Sequence, residues 1–152
     1  MMTNMAPDDK ATGGSIVVGI DGSEPSMSAL RWAVRQAELT GARLRVVMCW
    51  EYPVTYGWAP PYPEGFDPED DVSRCIDQAV EAAVPKTASV DVERVVIEGH
   101  PAPTLVEAAK DAALLVVGTR GHGGFFGLLL GSVSEHCVTH APCPVVVVRG
   151  EG

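Results

Sequence analysis

The residues best suited to chemistry lie in one run. Gly118-Thr119-Arg120-Gly121 is followed by nine residues and then Gly131-Ser132, a Gly-x2-Gly-x9-Gly-Ser spacing. Glycine has no Cβ, so its backbone N–H can approach an anion closely. A helix expected to open at Ser132 would add N–H groups without intrahelical partners and the positive end of its dipole. Hydroxyls of Ser132 and Ser134 would add further polar groups. Such a cradle suits phosphate. Ser132 also reads as the cap of that helix, with Glu135 three residues on as its capping-box partner. The run is not a Walker A loop, because no Gly-Lys-Ser/Thr follows its glycines and the lysines (Lys10, Lys86, Lys110) lie elsewhere. It is not the dinucleotide fingerprint either, because Phe126 stands where Gly121-His122-Gly123 would need a third glycine. A triphosphate would therefore depend on backbone N–H groups, the serine hydroxyls, Arg120 and a metal ion. The same glycines are open to a plainer reading as turn chemistry.

Three other groups could act. Asp21-Gly22-Ser23 follows an apolar run and precedes a helical one, so Asp21 reads either as a turn and helix cap or as a carboxylate facing a pocket. His136-Cys137-x2-His140-x2-Cys143 puts two histidines four apart on one helical face, a spacing zinc can use, but no second cysteine pair completes a structural site. The sequence favours an ordinary helix end. His122 lies inside the glycine run, where it reads as a surface histidine within reach of a phosphate. No Gly-x-Ser-x-Gly elbow occurs, no Ser/His/Asp set is evident, and no residue stands out to orient an attacking water. Catalysis is therefore expected to be slow or absent.

The elements that must hold these residues alternate along the chain. Strands are expected at Ser15–Ile20, Leu44–Cys49, Val90–Ile97, Leu114–Gly118 and Val145–Arg149. Helices are expected at Glu24–Leu39, Pro68–Val84, Thr104–Ala113 and Ser132–His140, the third opened by a capping box of Thr104 and Glu107. Strand–helix alternation specifies a parallel sheet with helices on both faces. Runs such as IVV, LLVV and VVVV suit strands covered on both sides. Val90-Asp91-Val92-Glu93 alternates, which places the third strand at a wetter edge. Ligands bind such sheets outside the carboxyl ends of the strands, where the glycine run sits. The proline- and aromatic-rich Tyr52–Asp67 is too long for a simple connection and reads as a covering loop, a lid or a partner surface.

The chain has 152 residues, enough for one domain with its own core. Residues 1–14 read as a flexible tail and 15–150 as a single domain. The tail lacks an apolar block, so it does not read as a secretion signal, and no apolar run could cross a bilayer. A cytoplasmic location with reduced thiols at Cys49, Cys75, Cys137 and Cys143 is expected. Acidic residues number 20 against 11 basic ones, a net charge of −9, which opposes nonspecific nucleic-acid binding.

Two blocks go further: VVGIDGSEPSMSALRWA from Val17, and VVGTRGHGGFFGLLLGSVSEHCVTHAPCPVVVV from Val116. With the complete glycine spacing, they make the chain resemble the universal stress protein family from Ser15 to Arg149. The resemblance is weak over residues 50–87. It implies an α/β fold with a five-stranded parallel sheet in the order 3-2-1-4-5, sandwiched by helices in a three-layer, flavodoxin-like or adenine-nucleotide alpha-hydrolase-like architecture. The glycine spacing is the family's ATP-binding signature. By that resemblance Asp21 lies near ribose and phosphates, where it can help a Mg²⁺ or Mn²⁺ ion. Gly19 and Ile20 lie on the adenine side, and the main chain of Cys49 contacts adenine. Val117 and Gly118 form the ribose-side segment. Arg120, Gly121, Gly131, Ser132, Val133 and Ser134 form the phosphate-binding run, with Arg120 at a variable family position. The apolar edge strand Val145–Val148 invites pairing with a second copy, and family members commonly dimerise there. The resulting expectation is an ATP-binding, homodimeric stress-response regulator or sensor, with an unidentified protein partner in prospect. The alternatives are a slow ATPase, an interaction module indifferent to ATP, and a cyclic AMP binder using the same pocket.

Overall fold

The computed structural model describes residues 14–51, 65, 67–119 and 131–150. The elements run β1 (Ser15–Ile20), α1 (Glu24–Thr40), β2 (Arg43–Trp50), α2 (Pro68–Ala83), β3 (Val92–Glu98), α3 (Pro101–Ala108), β4 (Leu114–Gly118), α4 (Ser132–His140) and β5 (Val145–Val148). All pairings are parallel and the sheet order is β3-β2-β1-β4-β5, as expected. The expected tail up to residue 13, nearly all of the Tyr52–Asp67 segment, and residues 120–130 lie outside the described residues.

Side chains along a strand alternate between faces, so each buried strand feeds two cores. Ile16, Val18 and Ile20 of β1 join Leu44, Val46 and Val116 beneath Leu30, Ala33 and Val34 of α1 and Ile76 and Val80 of α2. Val17, Val47, Leu115 and Val117 point the other way, toward Leu105 of α3 and Cys137 of α4. This makes three layers, with α1 and α2 on one face and α3 and α4 on the other. The β3 edge carries the charged residues Glu93, Arg94 and Glu98. Arg45 pairs with Glu93 at 3.0 Å and Arg94 with Asp77 at 3.0 Å, which accounts for the wetter outer strand.

Several expected ends shift by one residue, and two elements, β3 and α3, move further. β3 starts at Val92 rather than Val90, because the ladder opens where Val92 meets Leu44 while the Asp91 carboxylate turns to Arg43 at 3.0 Å. The third helix covers Pro101–Ala108, not Thr104–Ala113. His100 is its N-cap without a side-chain bond, and Thr104 lies inside the helix, its N–H bonding to His100 C=O. Prolines at 101 and 103 fit a first turn, whose N–H groups need no intrahelical acceptor. Beyond Ala108 the chain closes in tight turns, with Ala109 N–H shared between the Leu105 and Val106 carbonyls.

Candidate functional site

β1 has β2 on one side and β4 on the other, so the connections leaving β1 and β4 diverge onto opposite faces. The gap this opens at the strand tips is where open α/β sheets take ligands. Here it is a cleft of about 420 Å³, lined by Gly19, Ile20 and Asp21 from β1 and its loop, Val117, Gly118 and Thr119 from the end of β4, and Gly131, Ser132, Val133, Ser134 and Glu135 at the start of α4. Ser23 and Ser26 of the α1 entry and Pro101 and Leu105 of α3 complete it.

The β1–α1 loop is held by its own polar atoms. The carboxylate of Asp21 accepts from Ser23 N–H at 2.9 Å and from the Ser23 hydroxyl at 2.5 Å. Partial desolvation pushes its pKa up, but hydrogen bonds from Ser23 and Ser26 outweigh it and hold the carboxyl below its ordinary value. Asp21 is not the helix cap. That role belongs to Ser23, whose hydroxyl accepts from Ser26 N–H. Ser26, itself buried, donates to Ser23 C=O at 2.9 Å and accepts from Asp21 N–H at 3.2 Å.

The β4 side is shaped by close approach. A Cβ at Gly118 would lie 2.6 Å from the backbone carbon and oxygen of Pro25, so the glycine lets the first turn of α1 abut the strand tip. At Gly19 a Cβ would meet the Leu105 side chain at 2.6 Å, so Leu105 occupies that space and forms an apolar wall. Ser132 does not cap α4. Gly131 is the N-cap, in extended conformation and without a side-chain bond, and its carbonyl accepts from Glu135 N–H at 2.9 Å. Ser132 therefore stands at the first helical position, one residue too late to reach the amides a cap serves. The N–H groups of Ser132, Val133 and Ser134 precede the helical ladder and open toward the cleft end of α4. The Ser134 hydroxyl donates to Gly118 C=O at 2.6 Å. Among the described lining residues the charged groups are the carboxylates Asp21 and Glu135, with no Lys or Arg.

Of the residues singled out in the sequence, Gly19, Ile20, Asp21, Val117, Gly118, Gly131, Ser132, Val133 and Ser134 come together in this cleft. Arg120, Gly121 and His122 lie outside the described residues. Cys49 does not line the cleft. It follows Met48, the partner of Ile20, and its side chain packs against the α3/α4 core. Ser23, Ser26, Pro101, Leu105, Thr119 and Glu135 line it as well and were not among the expected site residues. The helical-face arrangement of His136 and His140 holds, with ring centroids 4.5 Å apart. Cys137 turns away into the core, and among the described residues no three His, Cys, Asp or Glu side chains gather to hold a metal. Burial pushes the thiols of Cys49 and Cys137 up to about 11, and Cys143 upward too, so these three stay protonated near neutrality. Cys75 is exposed on α2.

The model of the universal stress protein family matches residues 14–149. This chain belongs to the universal stress protein family. Among family members, universal stress protein Rv2623 of Mycobacterium tuberculosis is 38% identical over 145 residues, covering 90% of this chain and 48% of its own length. The chain thus spans about half the length of the relatives of that kind. UspA of Lactobacillus plantarum has the same fold, with a TM-score of 0.72 at 23% identity over 92% of this chain and all of that one. A universal stress protein solved in complex with cAMP superposes with a TM-score of 0.61 at 28% identity, over 90% of this chain and 97% of that one. Among the described residues no helix is long and apolar enough to cross a membrane.

Proposed function

We propose that this chain binds an adenine nucleotide, ATP with Mg²⁺ or Mn²⁺, in the cleft between the tips of β1 and β4, and that it acts as a nucleotide-dependent stress-response regulator. The observation that carries this reading is the composition of that cleft. Ile20, Pro101, Leu105, Val117 and Val133 give it apolar lining that suits a flat base. Asp21, Ser23 and Ser132 line it too, with the uncapped start of α4, which suits ribose and phosphate. The volume of about 420 Å³ lies within the range of roughly 300–1,000 Å³ common for small-molecule sites.

A polyphosphate held against Asp21 and Glu135 needs its charge offset. A divalent cation would supply that, with Asp21, already held ionised by its turn, as the protein carboxylate best placed to meet it. Arg120 and Gly121 belong to the same run and would extend the phosphate contacts. The main chain of Cys49, beside the β1 tip, is assigned to the adenine edge. Cyclic AMP is the second reading, favoured by the relative solved with that ligand.

The working unit is a homodimer joined along β5. This strand ends the sheet order, and Val145–Val148 are all only half-buried. Residues 15–150 act as one domain in the cytoplasm, with nucleotide occupancy altering the surface offered to a protein partner. Calorimetric titration of the purified chain with ATP, ADP and cAMP in the presence of Mg²⁺ tests the reading. Saturable ATP binding that weakens in Asp21→Ala supports it. Absence of heat with every adenine nucleotide overturns it, and preference for cAMP selects the second reading.

A further inference from the structure

We infer that Ser134 is a positioning residue, whose hydroxyl fixes the first turn of α4 against the tip of β4 and so sets the backbone N–H groups that meet an anionic ligand. This rests on the nucleotide reading above and changes the role of one of its residues. Ser134 is 3% exposed although it lines the cleft. A serine hydroxyl has one proton to give, and here it goes to Gly118 C=O at 2.6 Å across a buried contact. What remains toward the cleft is lone pairs, which repel a phosphate rather than bind it. Ser134 is therefore a poor phosphate donor and a good strut.

The carbonyl it grips is itself well fixed. Gly118 is pressed against the Pro25 and Ser26 backbone, and the next N–H, of Thr119, bonds to Val148 C=O at 3.0 Å. The strut thus ties the first turn of α4 to the tip of β4. Gly131, the N-cap of α4, contributes no side-chain bond of its own. Losing the hydroxyl frees the first turn to shift, and amide donors aimed at an anion lose strength steeply with distance and angle.

The test compares wild type with Ser134→Ala and with Ser134→Cys, which keeps the size and weakens the donor. Affinities for Mg-ATP and for adenosine are measured, together with amide hydrogen exchange at residues 135–138, whose N–H groups the first turns of α4 close, in the ligand-free proteins. The expected result is an ATP affinity lowered by about ten-fold in either variant, on the scale of one lost hydrogen bond, adenosine affinity held within about two-fold, and faster exchange at 135–138 before any ligand is added. If Ser134→Ala does not fold, Ser134→Cys carries the same readouts. ATP affinity that falls with exchange unchanged in the free protein would mean direct contact and overturn the inference. Unchanged ATP affinity, or equal losses for ATP and adenosine, would overturn it too. If wild type binds no nucleotide, the nucleotide reading fails and takes this inference with it. If wild type binds ATP while the variants match it, only the role of Ser134 fails.

Discussion

A methyl group on Gly118 would sit 2.6 Å from the carbonyl of Pro25, with backbone rather than a movable side chain in its way. The Gly118→Ala variant is therefore expected to lose about 1–3 kcal/mol of stability, the scale of overpacking a tight contact. Urea denaturation without ligand measures it, and an unchanged midpoint would show that this approach is not tight. Asp21 makes a different prediction. Its folded pKa is lowered, so its contribution to stability is present above the ordinary carboxylate value of 3.8 and is lost as pH falls through the folded value. The stability gap between wild type and Asp21→Ala should be about 0.5–1.5 kcal/mol at pH 7, the scale of its turn bonds, and should close on acidification below pH 4. Mg-ATP affinity should fall by more than that gap. A gap that widens in acid would contradict the assigned turn, and equal losses of stability and binding would leave Asp21 only a turn residue.

Element by element, the sheet was legible because continuous apolar runs, helical periodicities and turns alternate in one consistent rhythm. The strand tips were legible because Asp21 and the glycines are unusual residues at strand ends. The third helix was misplaced because Thr104 and Glu107 imitate a capping box, while the decisive signal was Pro101 and Pro103 crowding one first turn. Ser132 misled in the same way, since a preceding glycine in extended conformation took the cap. Pro101 and Leu105 were invisible as cleft residues, because only tertiary packing brings α3 against Gly19. Gly118 lines the cleft, and its missing side chain also serves a contact the sequence did not reveal, with the first turn of α1. At the opposite edge, β5 makes its own prediction. Val147→Pro removes a donor that faces away from β4 at the open edge, and sedimentation should then report monomers where wild type gives dimers. Dimers that persist would place the interface away from β5.

For the whole molecule, a ligand bound to the folded state alone must raise its stability. At about 100 times its dissociation constant the gain is about 2.7 kcal/mol. For a chain of this length that corresponds to roughly 5–10 °C in melting temperature. Mg-ATP should produce a shift of this size and adenosine a smaller one, since adenosine leaves the start of α4 without a charge to meet. Equal shifts would deny that end of the cleft a role. The net charge of −9 sharpens the point, because an acidic molecule attracts a polyanion only through a local and oriented set of donors.

Mapping backbone amide resonances of the full chain during titration with Mg-ATP tests that set most directly. The account predicts saturable shifts concentrated at Gly19–Asp21, Val117–Thr119 and Gly131–Glu135, on both sides of the β1/β4 gap. Shifts absent at saturating nucleotide, or confined to another face such as α2, would contradict it.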